Sequence, residues 1–175
     1  MSTDLTRKAS RIRLLILDVD GVLTDGGLQF DNRGNEYKTF NSLDGHGIRM
    51  LLDSGIEVAV ITGRQSAIVD HRMGDLGLKH IYQGCRNKLP PFRKLLTDTG
   101  IDADQVAYMG DDLPDLAIMS RVGFAVAVQN AHSFVKQHSD LVTSACGGSG
   151  AVREISDLIL QSQSLLEAMQ QVYLE

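Results

Sequence analysis

The chain has no tryptophan and only three prolines against seventeen glycines. Its turns therefore rest on glycine, as they do where strands and helices alternate. It has two cysteines, Cys85 and Cys146, and neither has a CxxC or CxH companion. No zinc or disulfide framework can be read from them, and they are most simply reduced thiols in a cytoplasmic protein. The five histidines, His46, His71, His80, His132 and His138, form no metal-ligand spacing. Basic residues are not in excess: 17 Lys and Arg face 22 Asp and Glu, for a net charge of -5 and a pI of about 5.5. That balance disfavours a general binder of nucleic acid or anionic membrane, so neither is an expected partner, although a local basic pocket stays open. Long apolar runs are also missing. Leu14, Leu15, Ile16 and Leu17 are followed at once by Asp18 and Asp20, too soon for a signal-peptide core or a membrane span. No internal repeat or low-complexity segment is apparent. What remains is a chain of 175 residues, 43% hydrophobic and 22% charged. This is enough for one domain over residues 1–175 and too little for a large inserted one.

Apolar runs of strand length alternate with segments of helical period. Strands are predicted at 13–19, 57–61, 105–109 and 124–128, with short ones at 80–82 and 141–142. Helices are predicted at 47–53, 66–76, 90–98 and 113–120, three of them stopped by Gly55, Gly77 and Gly100. This is the pattern of an α/β domain with a mainly parallel sheet flanked by helices. Two stretches break it. Residues 27–41 read as a β-hairpin inserted after the first strand. Residues 147–175 open with Gly147-Gly148-Ser149-Gly150 and continue as one long amphipathic helix, a core or subunit-interface element rather than a membrane one.

The chemistry concentrates where strands end. Asp18 and Asp20 stand two apart, so they project to the same side from the C-terminal end of the first strand. Ligand sites of open α/β sheets lie at that edge. Two carboxylates there suit a hard divalent cation or a division into nucleophile and acid/base, and a plain strand-end turn uses the same residue types. A second cluster, Gly110-Asp111-Asp112-Leu113-Pro114-Asp115, follows another apolar strand. Helix capping explains one or two of these acids, but the full set makes a charge-dense edge suited to Mg²⁺. Between the clusters lie Thr62-Gly63-Arg64, a turn able to hold phosphate oxygens, and Asn87-Lys88, whose lysine would offset a phosphoryl group.

This ordered set resembles the haloacid dehalogenase (HAD) superfamily of phosphohydrolases, from Leu14 to about Asp115, and so implies a Rossmann-like core. It further implies Asp18 as nucleophile and Asp20 as general acid and then base. Thr62 and Lys88 would serve the transferring phosphoryl group. Mg²⁺ would be held by Asp18, Asp111 and the backbone carbonyl of Asp20, with Asp115 supporting them, while the role of Asp112 stays open. Aspartate at position 20 fits a phosphatase or mutase, since the ATPase branch has threonine there.

Only about 25 residues separate Asp20 from the helix predicted near Gly47, room for a hairpin and no cap domain. Residues 17–26, 40–48, 61–64, 83–84 with 87–88, 110–112 and 147–154 resemble the capless 3-deoxy-D-manno-octulosonate 8-phosphate phosphatases, over nearly the whole chain. That resemblance implies a sugar-acid phosphate as substrate, a role in lipopolysaccharide precursor synthesis, and a homotetramer. It also implies substrate contacts from Asp20, Asn41, Ser42, Leu43, Asp44, Gly45, Gly63, Arg64, Arg72, Lys88 and Arg153. Guanidinium pairing with the sugar's carboxylate makes the arginines reasonable. Without the resemblance, Arg72 reads as a solvated helix charge and residues 147–150 as a flexible linker; with it, they read as a mobile flap carrying Arg153. His46, beside the proposed sugar loop, is more often a surface or packing residue. Cys85-Arg86 and Pro90-Pro91 depart from the family pattern. A phosphatase of nine-carbon sialic-acid-type 9-phosphates shares the scaffold. A non-catalytic regulatory subunit is disfavoured because Asp18, Asp20, Lys88 and Asp111 are all retained.

Overall fold

The computed structural model describes residues 3–174. Its centre is a six-stranded, all-parallel sheet in the order β5-β4-β1-β6-β7-β8. The strands are β1 (Leu14–Leu17), β4 (Glu57–Ile61), β5 (His80–Tyr82), β6 (Val106–Gly110), β7 (Phe124–Ala127) and β8 (Leu141–Val142). Every residue of β1, β6 and β7 is buried, which explains their unbroken apolar sequence: a parallel strand covered on both faces has no polar side to alternate with. β1 pairs Leu14 with Glu57 on one flank and with Val106 on the other. From β1 the chain moves out to β4 and β5, then returns to build β6, β7 and β8 on the opposite side. The switch point therefore falls at the C-terminal end of β1, where a crevice opens.

Two helix groups flank the sheet. In one, α1 (Thr3–Ala9), α2 (Ser42–Asp53) and α7 (Ala151–Ser162) pack together; in the other, α4 (Leu89–Thr99) meets α5 (Leu116–Met119). The remaining helices are α3 (Ala67–Asp75), α6 (Ser133–Gln137) and α8 (Leu166–Gln171). Only a two-stranded antiparallel hairpin, β2 (Gln29–Phe30) with β3 (Glu36–Tyr37), and α2 lie between β1 and β4, and no cap intervenes. Among the described residues, no helix is long and apolar enough to cross a membrane.

Three details differ from the sequence expectation. Helix α2 starts at Ser42, five residues earlier than predicted, because the Asn41 side chain caps it by accepting from the N–H groups of Leu43 and Asp44. The long final helix is two helices, broken where Ser164 takes a φ of 60°. Residues 147–150 are not a free linker. Gly147 N–H donates to Asn130 Oδ1 at 2.9 Å and Gly148 N–H to Val22 O at 2.9 Å. The glycines permit this docking, since a Cβ on Gly147 would stand 1.7 Å from the carbonyl oxygen of Gly21. That obstacle is backbone and cannot swing aside. Gly147→Ala should therefore lower stability by about 2 kcal/mol or more, roughly 4–8 °C in melting temperature for a chain of this size. An unchanged melting temperature would show that the segment is not held by this contact.

Candidate active site

A cavity of about 460 Å³ opens at the C-terminal edge of the sheet. Asp18 and Asp20 line it from the end of β1, Thr62, Gly63 and Arg64 from β4, and Cys85, Arg86 and Lys88 from the segment after β5. Asp111, Asp112, Pro114 and Asp115 line it from the turn after β6. Four strand ends that are far apart in sequence thus bring both acidic clusters and the phosphate-turn residues to one place.

Lys88 joins the clusters. Its side chain is 4% exposed. Its ammonium lies 2.9 Å from Asp18 Oδ1 and donates to Asp115 Oδ1 at 2.7 Å and to the Tyr108 hydroxyl at 3.2 Å. Tyr108, wholly buried in β6, donates in turn to Asp115 Oδ1 at 2.6 Å. The other oxygen of Asp115 accepts from the N–H groups of Asp111 and Asp112, at 2.9 and 3.1 Å. Both Asp115 oxygens are therefore engaged in holding the turn.

Asp111 is different. Its Oδ1 is buried without a hydrogen-bond partner. Its carboxylate lies over Gly21, where a Cβ would come within 2.2 Å of Oδ2 and where φ is +99°; glycine is needed there on both counts.

Carboxylate oxygens of Asp18, Asp111 and Asp115 all lie within 4.8 Å of one another. One ammonium faces three carboxylates, and the imbalance shows in their acidity. Burial, with Asp115 adding to it against the pull of Lys88, raises Asp18 to about 6. Burial and the charges of Asp115, Asp18 and Asp112 raise Asp111 to about 7. Lys88 is drawn down by its own burial, but Asp18 and Asp115 outweigh that and leave it above the usual lysine value. An oxygen-only donor set with an unpartnered buried oxygen and surplus negative charge fits a hard divalent cation such as Mg²⁺.

Not every predicted contact residue lines this cavity. Asn41, Asp44, Gly45 and Arg72 border a separate crevice between α2 and α3, too tight to hold a water. Asp44 is buried, and its carboxylate accepts from the N–H groups of Gly150 and Arg153, fastening the start of α7. The Arg153 guanidinium pairs with Asp157 at 2.8 Å. Ser42 and Leu43 are exposed on the first turn of α2. His46 packs edge-on against Tyr173.

Conversely, three residues join the site with no motif to mark them. Tyr108 looked like one more apolar strand residue. Glu36 and Lys38, from the hairpin, form ion pairs with Arg64 and Asp20. Alternation along β3, which sends residues 36 and 38 to one side, was the available signal.

Comparison with known proteins agrees with this geometry. A family model described as haloacid dehalogenase-like hydrolase matches residues 80–155. The 3-deoxy-D-manno-octulosonate 8-phosphate phosphatase KdsC of Escherichia coli K12 is 51% identical over 167 residues, spanning 95% of this chain and 89% of that protein. The chain belongs to this family of haloacid dehalogenase-like phosphatases. The Yersinia pestis 3-deoxy-D-manno-octulosonate 8-phosphate phosphatase superposes with a TM-score of 0.94 at 47% identity, over 95% of this chain and 90% of that one. The Moraxella catarrhalis phosphatase of the same name, crystallised with magnesium ion, phosphate ion and a KDO molecule, gives 0.96 at 41% identity over 99% of both chains.

The raised carboxyls have a consequence for stability. Without metal, the folded protein keeps protons on Asp18 and Asp111 up to about pH 6 and 7, whereas the unfolded chain releases them near the ordinary value of 3.8. The folded state binds more protons in that window, so metal-free stability should fall as pH rises from about 4 to about 7. Saturating Mg²⁺ should remove most of that fall by binding the ionised forms. Melting curves in EDTA and in Mg²⁺ across that range test this, and a melting temperature in EDTA that rises instead would contradict it.

Proposed function

We propose that this protein is a Mg²⁺-dependent phosphomonoesterase that hydrolyses 3-deoxy-D-manno-octulosonate 8-phosphate to the free sugar acid and phosphate, a step in lipopolysaccharide precursor synthesis. The observation that carries the reading is the buried cluster in which Lys88 bridges Asp18 and Asp115 beside the unpartnered oxygen of Asp111. Full-length relatives that bear this activity in their names support the choice of substrate.

Asp18 and Asp111 would hold Mg²⁺ together with the carbonyl of Asp20, and Asp115 would fix the turn beneath them. Bound there, the ion supplies positive charge to the phosphoryl oxygens. Thr62 and Gly63, at the end of β4, cradle the phosphoryl group, and Lys88 offsets its charge as it nears Asp18. The Asp18 carboxylate adds to phosphorus while the bond from phosphorus to the sugar oxygen breaks. Asp20 gives that departing oxygen a proton. Water then attacks the aspartyl-phosphate, Asp20 takes back a proton, and the bond to Asp18 breaks to release phosphate. Arg64 lies at the cavity rim, 42% exposed, where it can pair with the sugar's carboxylate.

Arg72, Arg153 and residues 41–45 do not reach this cavity within one chain, and we assign their substrate contacts to the assembled homotetramer. The hairpin supports assembly: Leu28, Phe30 and Tyr37 are each more than half exposed, apolar side chains that a neighbouring subunit can cover. The free thiols Cys85 and Cys146 fit a reducing cytoplasm.

Asp18→Asn should leave the fold intact and lower phosphate release by at least about 1,000-fold, since the nucleophile is lost. Normal turnover in that variant would end the covalent reading. With the unmodified enzyme, kcat/KM should favour the eight-carbon over the nine-carbon sugar phosphate. The reverse preference would reassign the substrate while sparing the chemistry. Sedimentation should give four times the chain mass, and a single-chain mass would remove the tetramer.

A further inference from the structure

The hairpin does more than close space near the pocket. Its turn is tied by Asp31 Oδ1, which accepts from the N–H groups of Arg33 and Asn35, both at 2.8 Å. Strand alternation then sends Tyr37 outward and both Glu36 and Lys38 inward. The Lys38 side chain is 2% exposed, although it follows a two-residue strand at the molecular surface. Its ammonium is hydrogen-bonded to Asp20 Oδ1 and lies 3.3 Å from Glu36 Oε1. Glu36 accepts from Arg64 Nη2 at 2.8 Å, and Arg64 Nε stands 3.5 Å from Asp20 Oδ2. The four side chains form a closed ring of alternating charge: Asp20, Lys38, Glu36, Arg64.

The ring distinguishes the two oxygens of Asp20. Oδ1 is committed to a buried ammonium that has no solvent to turn to. Among the described residues, Oδ2 has one charged partner, Arg64, whose Nε at 3.5 Å is beyond good hydrogen-bonding distance. A carboxylate held by one oxygen presents the other in a fixed direction. A proton to the leaving group must come from an oxygen placed within about 3 Å of it.

We infer that Lys38 is a positioning residue for the reaction: by anchoring Asp20 Oδ1, it aims Oδ2 at the oxygen that leaves phosphorus. The inference rests on the role of Asp20 given above. A substrate carboxylate that draws Arg64 away from the ring leaves Oδ2 open while Lys38 keeps the carboxylate in place. Lys38 is not among the residues that line the cavity; its part is played through Asp20.

The test exploits leaving-group basicity. A sugar alkoxide needs a proton as it departs, whereas 4-nitrophenolate leaves without one. Lys38→Met should lower kcat/KM for the sugar-acid phosphate by about 100-fold, the range of a displaced general acid. It should lower kcat/KM for 4-nitrophenyl phosphate by no more than about threefold, with Mg²⁺ binding unchanged. Lys38→Arg, which can still reach Oδ1, should recover most of the loss. Lys38→Gln keeps a donor without the buried charge and should show the same selectivity at smaller size, so it carries the test if the methionine variant does not fold. Equal losses on both esters, or no loss on the sugar phosphate, would overturn the assignment, because a structural prop harms both reactions alike. Asp20→Asn, run in parallel, separates the two claims. If it keeps sugar-phosphate turnover, the role of Asp20 itself falls. If it loses that turnover while Lys38→Met does not, the role of Lys38 alone falls.

Discussion

A buried lysine holds the site together. Lys88 stands at the start of α4 and reaches Asp18 at the end of β1 and Asp115 in the turn after β6. Few side chains tolerate full burial as poorly as an ammonium, and it stays charged only because carboxylates surround it. The dependence is mutual: without Lys88, Asp18, Asp111 and Asp115 would repel one another in a cleft that water reaches only in part. Tyr108 completes the arrangement by donating to the same Asp115 oxygen from inside the sheet, so the site is anchored to the core as well as to the loops.

The sheet makes this convergence possible. Because the strands are parallel and reverse their order of addition at β1, their loops fan apart at its C-terminal end and leave a crevice between them. Strands buried on both faces supply a rigid floor, and all irregularity is confined to the strand ends. The charge problem is thereby concentrated. Lys88 offsets only part of it: burial, with the neighbouring carboxylates adding to it, holds the carboxyls of Asp18 and Asp111 above the usual range. A divalent cation and a phosphoryl group enter as a matched pair, one correcting the surplus that the other would worsen.

The sequence made the strand-end chemistry legible because its signals are local. An acidic pair directly after an unbroken apolar run is conspicuous, and β1, β4 and β6 lie close to their expected places. Less legible was whatever depends on long-range contact. Residues 41–45 contain glycine and polar residues and so resembled a loop, yet a single capping amide turned them into the first turn of α2. The Gly147–Gly148 stretch had the composition of a linker, but small residues also permit the closest backbone docking, and here they meet the loop after β1. Lys38 sits in a short surface hairpin where a lysine is ordinarily solvated, and only the folded chain brings it to Asp20.

The hairpin stands beside the site without the bulk of a second domain. A cap excludes water by bulk, which fifteen residues cannot do. They can limit instead how many orientations the Asp20 carboxylate samples, and a ring of four alternating charges does so with side chains alone. With Asp20 ionised the ring is neutral and does not add to the charge imbalance of the metal cluster; with a proton on Asp20 it carries one positive charge beside that surplus of carboxylates. Its weakest link is the long contact from Arg64 to Asp20, and Arg64 is also its most exposed member. An incoming carboxylate would open the ring at that link first. Substrate recognition and release of the Asp20 oxygen would then be one event, driven by the same guanidinium.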